Sequence, residues 1–383
     1  MIRFILNIIS GVAMATPKKT LWPIEPHTLA KHAILEGYLQ AWFAILGQKR
    51  TDMLYVDGFC GPGRYQGGEP GSPIVALEAA KNNLNNIGNS KVHFWFIDES
   101  PDRIAHLKEE LYSATIPSNF VIEVHAGEFE SVFSKKLQEL ERRAIPSFVF
   151  IDPFGFKGFP YTMVSRILAV QSAEVFINLM IDAINRFIEH PTPSIRDQIR
   201  TTIGLENLAD IEACPGSRFD SLRLHYQEQL KSKAKFVRYF EMRDVDDRSI
   251  YDLFFASNSR LGHVKMKESM WNVDREGRFR FSDAEDPSQI FLFDNEDSWR
   301  PILEKEIIRT FSSFSSTVVR DIRCHIENHT AFLATHMRQA LKSLESIGEI
   351  RVEELNEDQS KRRAGAFNDP VVISFKNVQR NLL

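Results

Sequence analysis

Residues 55–63 read YVDGFCGPG. The stretch follows an apolar run and contains one acid, three glycines and a proline. Glycine lets the backbone turn sharply and approach a ligand closely. Ligands of open α/β sheets bind beyond the carboxyl ends of the strands. The stretch therefore predicts a ligand-binding loop after a first strand, and a tight turn without a ligand is the alternative.

Strands and helices alternate through the first half of the chain. Five apolar runs, each followed by a loop or a helical pattern, read MLYVDGF (53–59), KVHFWFIDES (91–100), NFVIEVHAG (119–127), SFVFIDPFG (147–155) and AEVFINLMI (173–181). Strands that alternate with helices of 10–15 residues indicate crossover units and a parallel sheet.

The pattern changes after the fifth run. Residues 182–232 are mostly helical, and the runs at 234–244 and 249–258 are separated by only VDDR, which predicts an antiparallel hairpin. Five parallel strands followed by a hairpin are typical of the seven-stranded, Rossmann-like class I methyltransferase sheet. The sequence thus predicts an α/β fold of this kind.

Four segments are expected. Residues 1–26 form a leader and an N-terminal approach, 27–258 the methyltransferase domain with 182–232 as a helical insertion, 259–298 a connector, and 299–383 a winged helix of three helices and a two-stranded wing. Residues 1–15 have the outline of a short secretory signal. The interpretation we favour is an upstream start codon, with the natural chain beginning at Met14.

The composition is that of an ordinary globular protein. The chain has 383 residues and a formal net charge of −4, which excludes a uniformly basic nucleic-acid binder but not a local basic patch. Its three cysteines form no C-x-x-C pair, which fits a reducing compartment and argues against a thiolate metal site. We expect a cytoplasmic protein without a membrane span and without a bound metal.

The acid inside the opening loop changes the expected ligand. Asp57 would repel a pyrophosphate, which disfavours a dinucleotide, whereas it suits a ligand with a cationic centre and an ammonium group. S-adenosylmethionine (SAM) carries both. The predicted cofactor-binding residues of this loop are Asp57, Gly58, Phe59, Gly61 and Gly63.

Acids also end the second and third strands. Asp98, in FIDES, could accept hydrogen bonds from the ribose hydroxyls of SAM, and Glu128, in HAGEF, could meet the adenine amino group. Each acid could instead complement the N-terminus of the helix that follows it.

The fourth strand ends in Asp152-Pro153-Phe154. This is similar to the [DN]-P-P-[YF] element of methyltransferases that act on nitrogen, in which the acid or amide orients the target nitrogen and the aromatic ring stacks on the target base. Here phenylalanine replaces the second proline. We predict these three residues as catalytic; an acid that binds the cofactor or caps the sheet is the alternative.

Three stretches, LYVDGFCGPGRYQGGEPGSPIVALEAA, FIDPFG and LFFASNSRLGHVKMKESMW, resemble the three-Cys-motif partner protein family. The resemblance covers most of residues 27–376 and includes the motif EPGSP at 69–73. It implies a Rossmann-like methyltransferase fold. It also implies a separate partner, a three-Cys-motif protein of radical-SAM type that holds an iron–sulfur cluster.

The C-terminal segment offers basic residues on its third helix and in its wing. Winged helices place a recognition helix in the major groove and touch phosphates with the wing, or they dock proteins. The predicted nucleic-acid-binding residues are Arg338, Lys342, Lys361, Arg362 and Arg363.

These patterns predict a SAM-dependent methyltransferase that acts on a nucleic-acid base, with an exocyclic nitrogen favoured as acceptor. One alternative is a degenerate methyltransferase fold that serves as a DNA- or protein-binding partner module. A protein side chain as acceptor is another.

Overall fold

The structure is a computed structural model that describes residues 19–49, 51–143, 145–212, 217–283, 299–353, 362–363 and 365–376. The leader expected at residues 1–13 lies outside these ranges. The described residues divide into two units. The first runs to Val273 and includes the strand Arg280–Ser282, and the second includes Asp274–Phe279 and the residues from Trp299 onward.

The first unit is built on one sheet. Its strands are β1 (Met53–Asp57), β2 (Val92–Asp98), β3 (Phe120–Ala126), β4 (Ser147–Ile151), β5 (Ala173–Leu179), β6 (Phe236–Arg243), β7 (Ser249–Ser257) and β8 (Arg280–Ser282). Its helices are α1 (Pro26–Gln48), α2 (Ser72–Lys81), α3 (Leu84–Ile87), α4 (Pro101–Ser113), α5 (Phe129–Arg143), α6 (Tyr161–Ala169), α7 (Ile181–Phe187), α8 (Pro193–Ile203), α9 (Ala209–Glu212), α10 (Arg218–Lys231) and α11 (Arg260–Val273).

The strand order is β3-β2-β1-β4-β5-β7-β6-β8. Strands β1 to β5 are parallel, and β7 runs antiparallel to both β5 and β6. The predicted Rossmann-like class I methyltransferase sheet, with five parallel strands and an antiparallel hairpin, is therefore confirmed. The parallel order places the carboxyl ends of β1, β4 and β5 side by side at one edge.

The sheet has one strand more than the sequence predicts. Strand β8 pairs in parallel with β6 and lies in the segment that we expected to be a connector, as does α11. A strand of three residues is too short to show an alternating pattern, although Phe281 at its centre is buried. The described part of 259–298 therefore contributes to the first unit.

Helix α1 covers the centre of the sheet. The ring of Tyr38 lies 5.1 Å from that of Phe148 on β4 and 5.2 Å from that of Phe255 on β7. Burying each aromatic ring in this way contributes on the order of 1.5–3 kcal/mol. The same packing holds the first turns of α1 near the carboxyl end of β4, where the site lies.

The described part of the second unit contains three helices and a three-stranded antiparallel sheet, where the sequence predicts three helices and a two-stranded wing. The helices are α12 (Arg300–Phe311), α13 (Val319–His329) and α14 (Ala334–Ser346). The strands β9 (Thr317–Val318), β10 (Ile350–Val352) and β11 (Val372–Phe375) pair in the order β10-β11-β9. The two-residue strand β9 is the element that the sequence does not predict.

Candidate functional site

A cavity of about 70 Å³ lies at the carboxyl ends of β1, β4 and β5. It is bounded by the loop after β1, by the residues after β4, by the end of β5, and by side chains from α1 and β7. The lining residues are Trp22, His27, Thr28, Lys31, Phe59, Cys60, Gly61, Pro62, Gly63, Arg64, Tyr65, Gly71, Ser72, Asp152, Pro153, Phe154, Asn178, Met180 and Tyr251. The cavity therefore brings together the glycine loop and the predicted catalytic residues.

The glycine loop presents its backbone to the cavity. Gly61 and Gly63 have φ values of +62° and +87°, which residues with a side chain rarely adopt. The loop closes on itself because the Gly71 N–H donates to the Gly63 carbonyl at 2.7 Å. Of the predicted loop residues, Phe59, Gly61 and Gly63 line the cavity, whereas Gly58 is buried behind it against the ring of Phe129.

We expect Gly63→Ala to destabilise the protein more than Gly68→Ala. Both glycines have left-handed φ values, +87° and +92°, so alanine is strained at either position. A Cβ at Gly63 would also lie 2.8 Å from Leu107 Cδ1, whereas nothing lies within 4 Å of one at Gly68. The overlap is expected to add about 1–3 kcal/mol to the loss in the free energy of unfolding, measured with urea. Equal losses in the two variants would contradict this packing.

Asp57 lies beneath the loop rather than on the cavity wall. Its side chain is fully buried and accepts hydrogen bonds from the Phe59 N–H at 3.3 Å and the Tyr55 hydroxyl at 3.4 Å. Burial raises the pKa of Asp57 to about 7, which a hydrogen bond from Ser72 opposes and the nearby Asp152 carboxylate reinforces. Ser72 itself lines the cavity, so Asp57 is one hydrogen bond away from it.

Asp98 is also buried, and protein groups already hold its carboxylate. One oxygen accepts from the Gly61 N–H at 3.0 Å, and the other accepts from the Ser100 N–H at 2.8 Å and lies 3.6 Å from the Arg103 guanidinium. Asp98 thus fixes the glycine loop and the start of α4, which favours the alternative of an acid at a helix N-terminus; the predicted contact with the ribose of SAM stays a prediction.

Glu128 is exposed and does not line the cavity. Its carbonyl oxygen accepts the Val132 N–H at 3.0 Å at the start of α5. The geometry favours the alternative given above for this acid, a residue at the N-terminus of a helix.

Asp152 is held between two donors. Lys31 Nζ lies 2.5 Å from its Oδ2, and the Asn178 amide nitrogen lies 2.7 Å from its Oδ1. The Lys31 side chain is 6% exposed, and its ammonium also lies 5.3 Å from the centre of the Tyr251 ring. The buried Lys31 ammonium needs such a partner, because an unpaired buried charge is costly, and Asp152 itself is partly buried.

Phe154 forms part of an aromatic cluster over the loop. The ring of Trp22 packs edge-on against Phe154 at 5.4 Å and against Tyr65 at 5.7 Å. The Arg103 guanidinium lies 5.0 Å from the Trp22 ring and 5.2 Å from the Phe154 ring. Trp22 also lies next to Gly61, where a Cβ would be 3.7 Å from its ring. Trp22 therefore covers the part of the cavity that the glycine loop forms.

Sequence reasoning missed five residues that line the cavity, Trp22, His27, Lys31, Asn178 and Tyr251. His27 lines the cavity, and its Nδ1 lies 2.8 Å from Asp283 Oδ2. The available signal was a lysine inside the apolar run of α1, since a buried lysine is rare unless it is paired. Asn178 carries a signal of the same kind, because it is a polar residue inside the apolar run AEVFINLMI.

The second unit leaves three of the predicted nucleic-acid-binding residues exposed: Arg338, Lys342 and Arg363. The Arg362 side chain is 7% exposed, forms an ion pair with Glu345 and donates to the Glu353 and Ala366 carbonyls. Arg362 is therefore engaged within its own unit. Lys361 lies outside the described residues.

The described ranges contain neither a candidate metal cluster nor a candidate membrane span. Within them no group of three or more histidine, cysteine, aspartate or glutamate side chains could hold a metal ion. No described helix combines the length and the apolar character needed to cross a membrane.

Comparisons with known proteins found structural likeness only. No protein-family model and no curated protein matches the chain. Among solved structures, cofactor-bound Rv0187 from MTB is 12% identical, with a TM-score of 0.33, over 67% of this chain and 95% of that one. The SAH-bound Podospora anserina methyltransferase PaMTH1 is 11% identical, with a TM-score of 0.30, over 68% and 97%.

A protein from Porphyromonas gingivalis W83, assigned as a methyltransferase, is 10% identical, with a TM-score of 0.28. The match covers 56% of this chain and less than half, 41%, of that protein. Because these likenesses are weak, we assign the fold class from the strand order instead. By that order, the first unit has the Rossmann-like sheet of a class I methyltransferase.

Proposed function

We propose that this chain is a SAM-dependent methyltransferase whose acceptor is an amino nitrogen of a nucleic-acid base. The observation that carries the proposal is the cavity itself. It lies at the carboxyl edge of a class I methyltransferase sheet, with the glycine loop on one side and Asp152-Pro153-Phe154 on the other. Ligands of open α/β sheets bind at this edge.

The residues present fit SAM in part. The backbone at Gly61 and Gly63 and the Ser72 hydroxyl line the cavity and could hold the methionine end. Ligand sites usually measure 300–1,000 Å³, and this cavity measures about 70 Å³. The cavity therefore has to widen when the nucleoside end enters.

Bound SAM supplies an activated methyl group. The chain aligns the acceptor with it, and such alignment lowers the barrier without other chemistry. Methyl transfer forms a bond between the acceptor nitrogen and the methyl carbon, breaks the carbon–sulfur bond with its electron pair left on sulfur, and releases one N–H proton to solvent. The Phe154 ring, beside Asp152, offers a face on which a planar base could stack.

Calorimetric titration of the full chain with SAM tests the proposal. We expect saturable one-site binding, weakened about tenfold or more in Asp98→Asn, because the Gly61 N–H loses its charged partner. Glu99→Gln is the matched control, since Glu99 is the exposed neighbour of Asp98. A folded wild-type chain that binds no SAM would rule out the methyltransferase.

A non-catalytic partner module is the second candidate. Two observations favour it: neither Asp57 nor Asp98 lines the cavity, and the cavity is small for a whole nucleoside cofactor. Absence of SAM binding, together with retained binding of nucleic acid, would support this candidate.

We also propose that the second unit, as a winged helix, binds nucleic acid through Arg338 and Lys342. Each phosphate contact that is removed should lower the slope of log K against log salt by about 1. We therefore expect Arg338→Ala and Lys342→Ala each to flatten this slope in duplex DNA binding, measured by fluorescence anisotropy. Lys305→Ala, on α12, serves as a charge-matched control. An unchanged slope in both variants would favour protein docking.

From the resemblance to the three-Cys-motif partner proteins, we also propose a separate partner protein that holds an iron–sulfur cluster. Cys60 is buried and Cys324 is exposed, both as free thiols, which fits a reducing compartment such as the cytoplasm. Anaerobic co-purification of the two full chains would test this association.

A further inference from the structure

Asn178 carries a buried acceptor atom without a partner. It is the penultimate residue of β5, is 3% exposed and lines the cavity. Its Oδ1 is buried and accepts no hydrogen bond from any residue that the structure describes. Buried polar atoms are almost always hydrogen-bonded, and exceptions call for an explanation such as a bound ligand.

The orientation of this amide is fixed by its neighbour. The Asn178 amide nitrogen donates to Asp152 Oδ1 at 2.7 Å. A flipped amide would place two acceptor oxygens against each other, because an ionised carboxylate can only accept hydrogen bonds. The unpartnered atom of this cavity-lining residue is therefore the carbonyl oxygen and not the NH2 group.

Asp152 has more of its hydrogen-bonding capacity satisfied by the protein than Asn178 Oδ1 has. Each of its carboxylate oxygens already accepts a hydrogen bond from the protein, one from Lys31 and one from Asn178. The Lys31 ammonium also compensates its charge. Each Asp152 oxygen thus keeps one unused lone pair, whereas Asn178 Oδ1 accepts no hydrogen bond from the described residues and has both lone pairs unused.

We propose that Asn178 is a specificity-determining residue, whose Oδ1 accepts a hydrogen bond from the amino group of the methyl acceptor. Asp152 is then a positioning residue that holds the Asn178 amide in the required orientation. This inference rests on the proposed function and deepens it. It selects bases with an exocyclic amino group, such as adenine and cytosine, over bases with a carbonyl at that position, which would place an acceptor against an acceptor.

Binding of matched short strands tests the assignment. The full chain, saturated with S-adenosylhomocysteine, is titrated with labelled deoxythymidine strands that carry one central adenine, hypoxanthine, cytosine or uracil. In at least one of the pairs adenine/hypoxanthine and cytosine/uracil, wild type is expected to bind the amino base about tenfold more tightly. Asn178→Leu, of similar volume, is expected to reduce this preference to less than twofold.

A second Asn178 variant and a control variant complete the test. Asn178→Ser retains a hydroxyl that can donate to Asp152, removes the carbonyl and should lose the preference even if the leucine variant does not fold. Asn83→Ser is the matched control, because Asn83 is equally buried and its amide donates to Gln40 and to the Ala79 carbonyl, away from the cavity. It should keep the preference.

The outcomes separate the two proposals. Loss of the preference in the Asn178 variants, with unchanged affinity for S-adenosylhomocysteine, supports the assignment. A preference retained in these variants, or a wild type that binds S-adenosylhomocysteine but does not distinguish either pair of strands, overturns it. A wild type that binds no S-adenosylhomocysteine overturns the proposed function itself.

Discussion

Replacement of Lys31 by methionine is expected to lower the free energy of unfolding by about 3–5 kcal/mol. Lys31 is buried on α1, and its ammonium lies 2.5 Å from the carboxylate of Asp152. Methionine fills a similar volume but leaves that carboxylate with the Asn178 amide and without a countercharge. The large effect thus comes from the charge left behind rather than from a lost attraction.

Urea unfolding of the wild type and of three variants would check this origin. Asp152→Asn in the Lys31→Met background should recover most of the loss, because removing both charges leaves neither unpaired. Lys81→Met is the control, since Lys81 pairs with Glu78 at 2.8 Å on the surface and should cost less than about 1 kcal/mol. A similarly small loss for Lys31→Met would show that its ion pair with Asp152 does not stabilise the fold.

The fold was predictable because its signals are local. Each of the five parallel strands is an apolar run that ends in a polar or glycine-containing turn, and the hairpin follows from the short VDDR connection. The elements that were missed, β8 and β9, have three and two residues. Strands of that length are held by pairing with distant strands, and the sequence around them carries no periodic pattern.

The site was predictable only where it follows strand ends. Asp152, Pro153, Phe154, Gly61 and Gly63 line one cavity because parallel strands bring their carboxyl ends to one edge. Lys31 reaches Asp152 from 121 residues away, and this contact depends on how α1 packs across the sheet.

Long-range pairing also limits what basic residues reveal. Arg362 is basic in sequence, yet Glu345, 17 residues away, engages it within the second unit. Composition alone cannot distinguish such an internal ion pair from a phosphate contact.

Asp57 should make the stability of the first unit depend on pH. Burial raises its pKa from 3.8 to about 7, so the folded chain holds a proton that the unfolded chain releases near pH 4. When folding raises the pKa of an acid, its contribution to stability is fully present at pH values below the pKa of the unfolded chain. This contribution is lost as pH rises through the pKa of the folded chain. The window therefore runs from about pH 4 to pH 7, with a total change of at most about 4 kcal/mol.

Asp57→Asn should remove this dependence, because asparagine has the same shape and no charge. We expect the difference in the free energy of unfolding between the variant and wild type to grow by roughly 2–3 kcal/mol from pH 5 to pH 8, with the variant the more stable at pH 8. Urea unfolding at several pH values measures it, with Glu99→Gln as the exposed control. A difference that stays constant with pH would show that Asp57 is already ionised at pH 5. Its negative charge would then be available to a cationic ligand throughout this range. If Asp57 has its raised pKa, that charge becomes available only as pH rises above about 7.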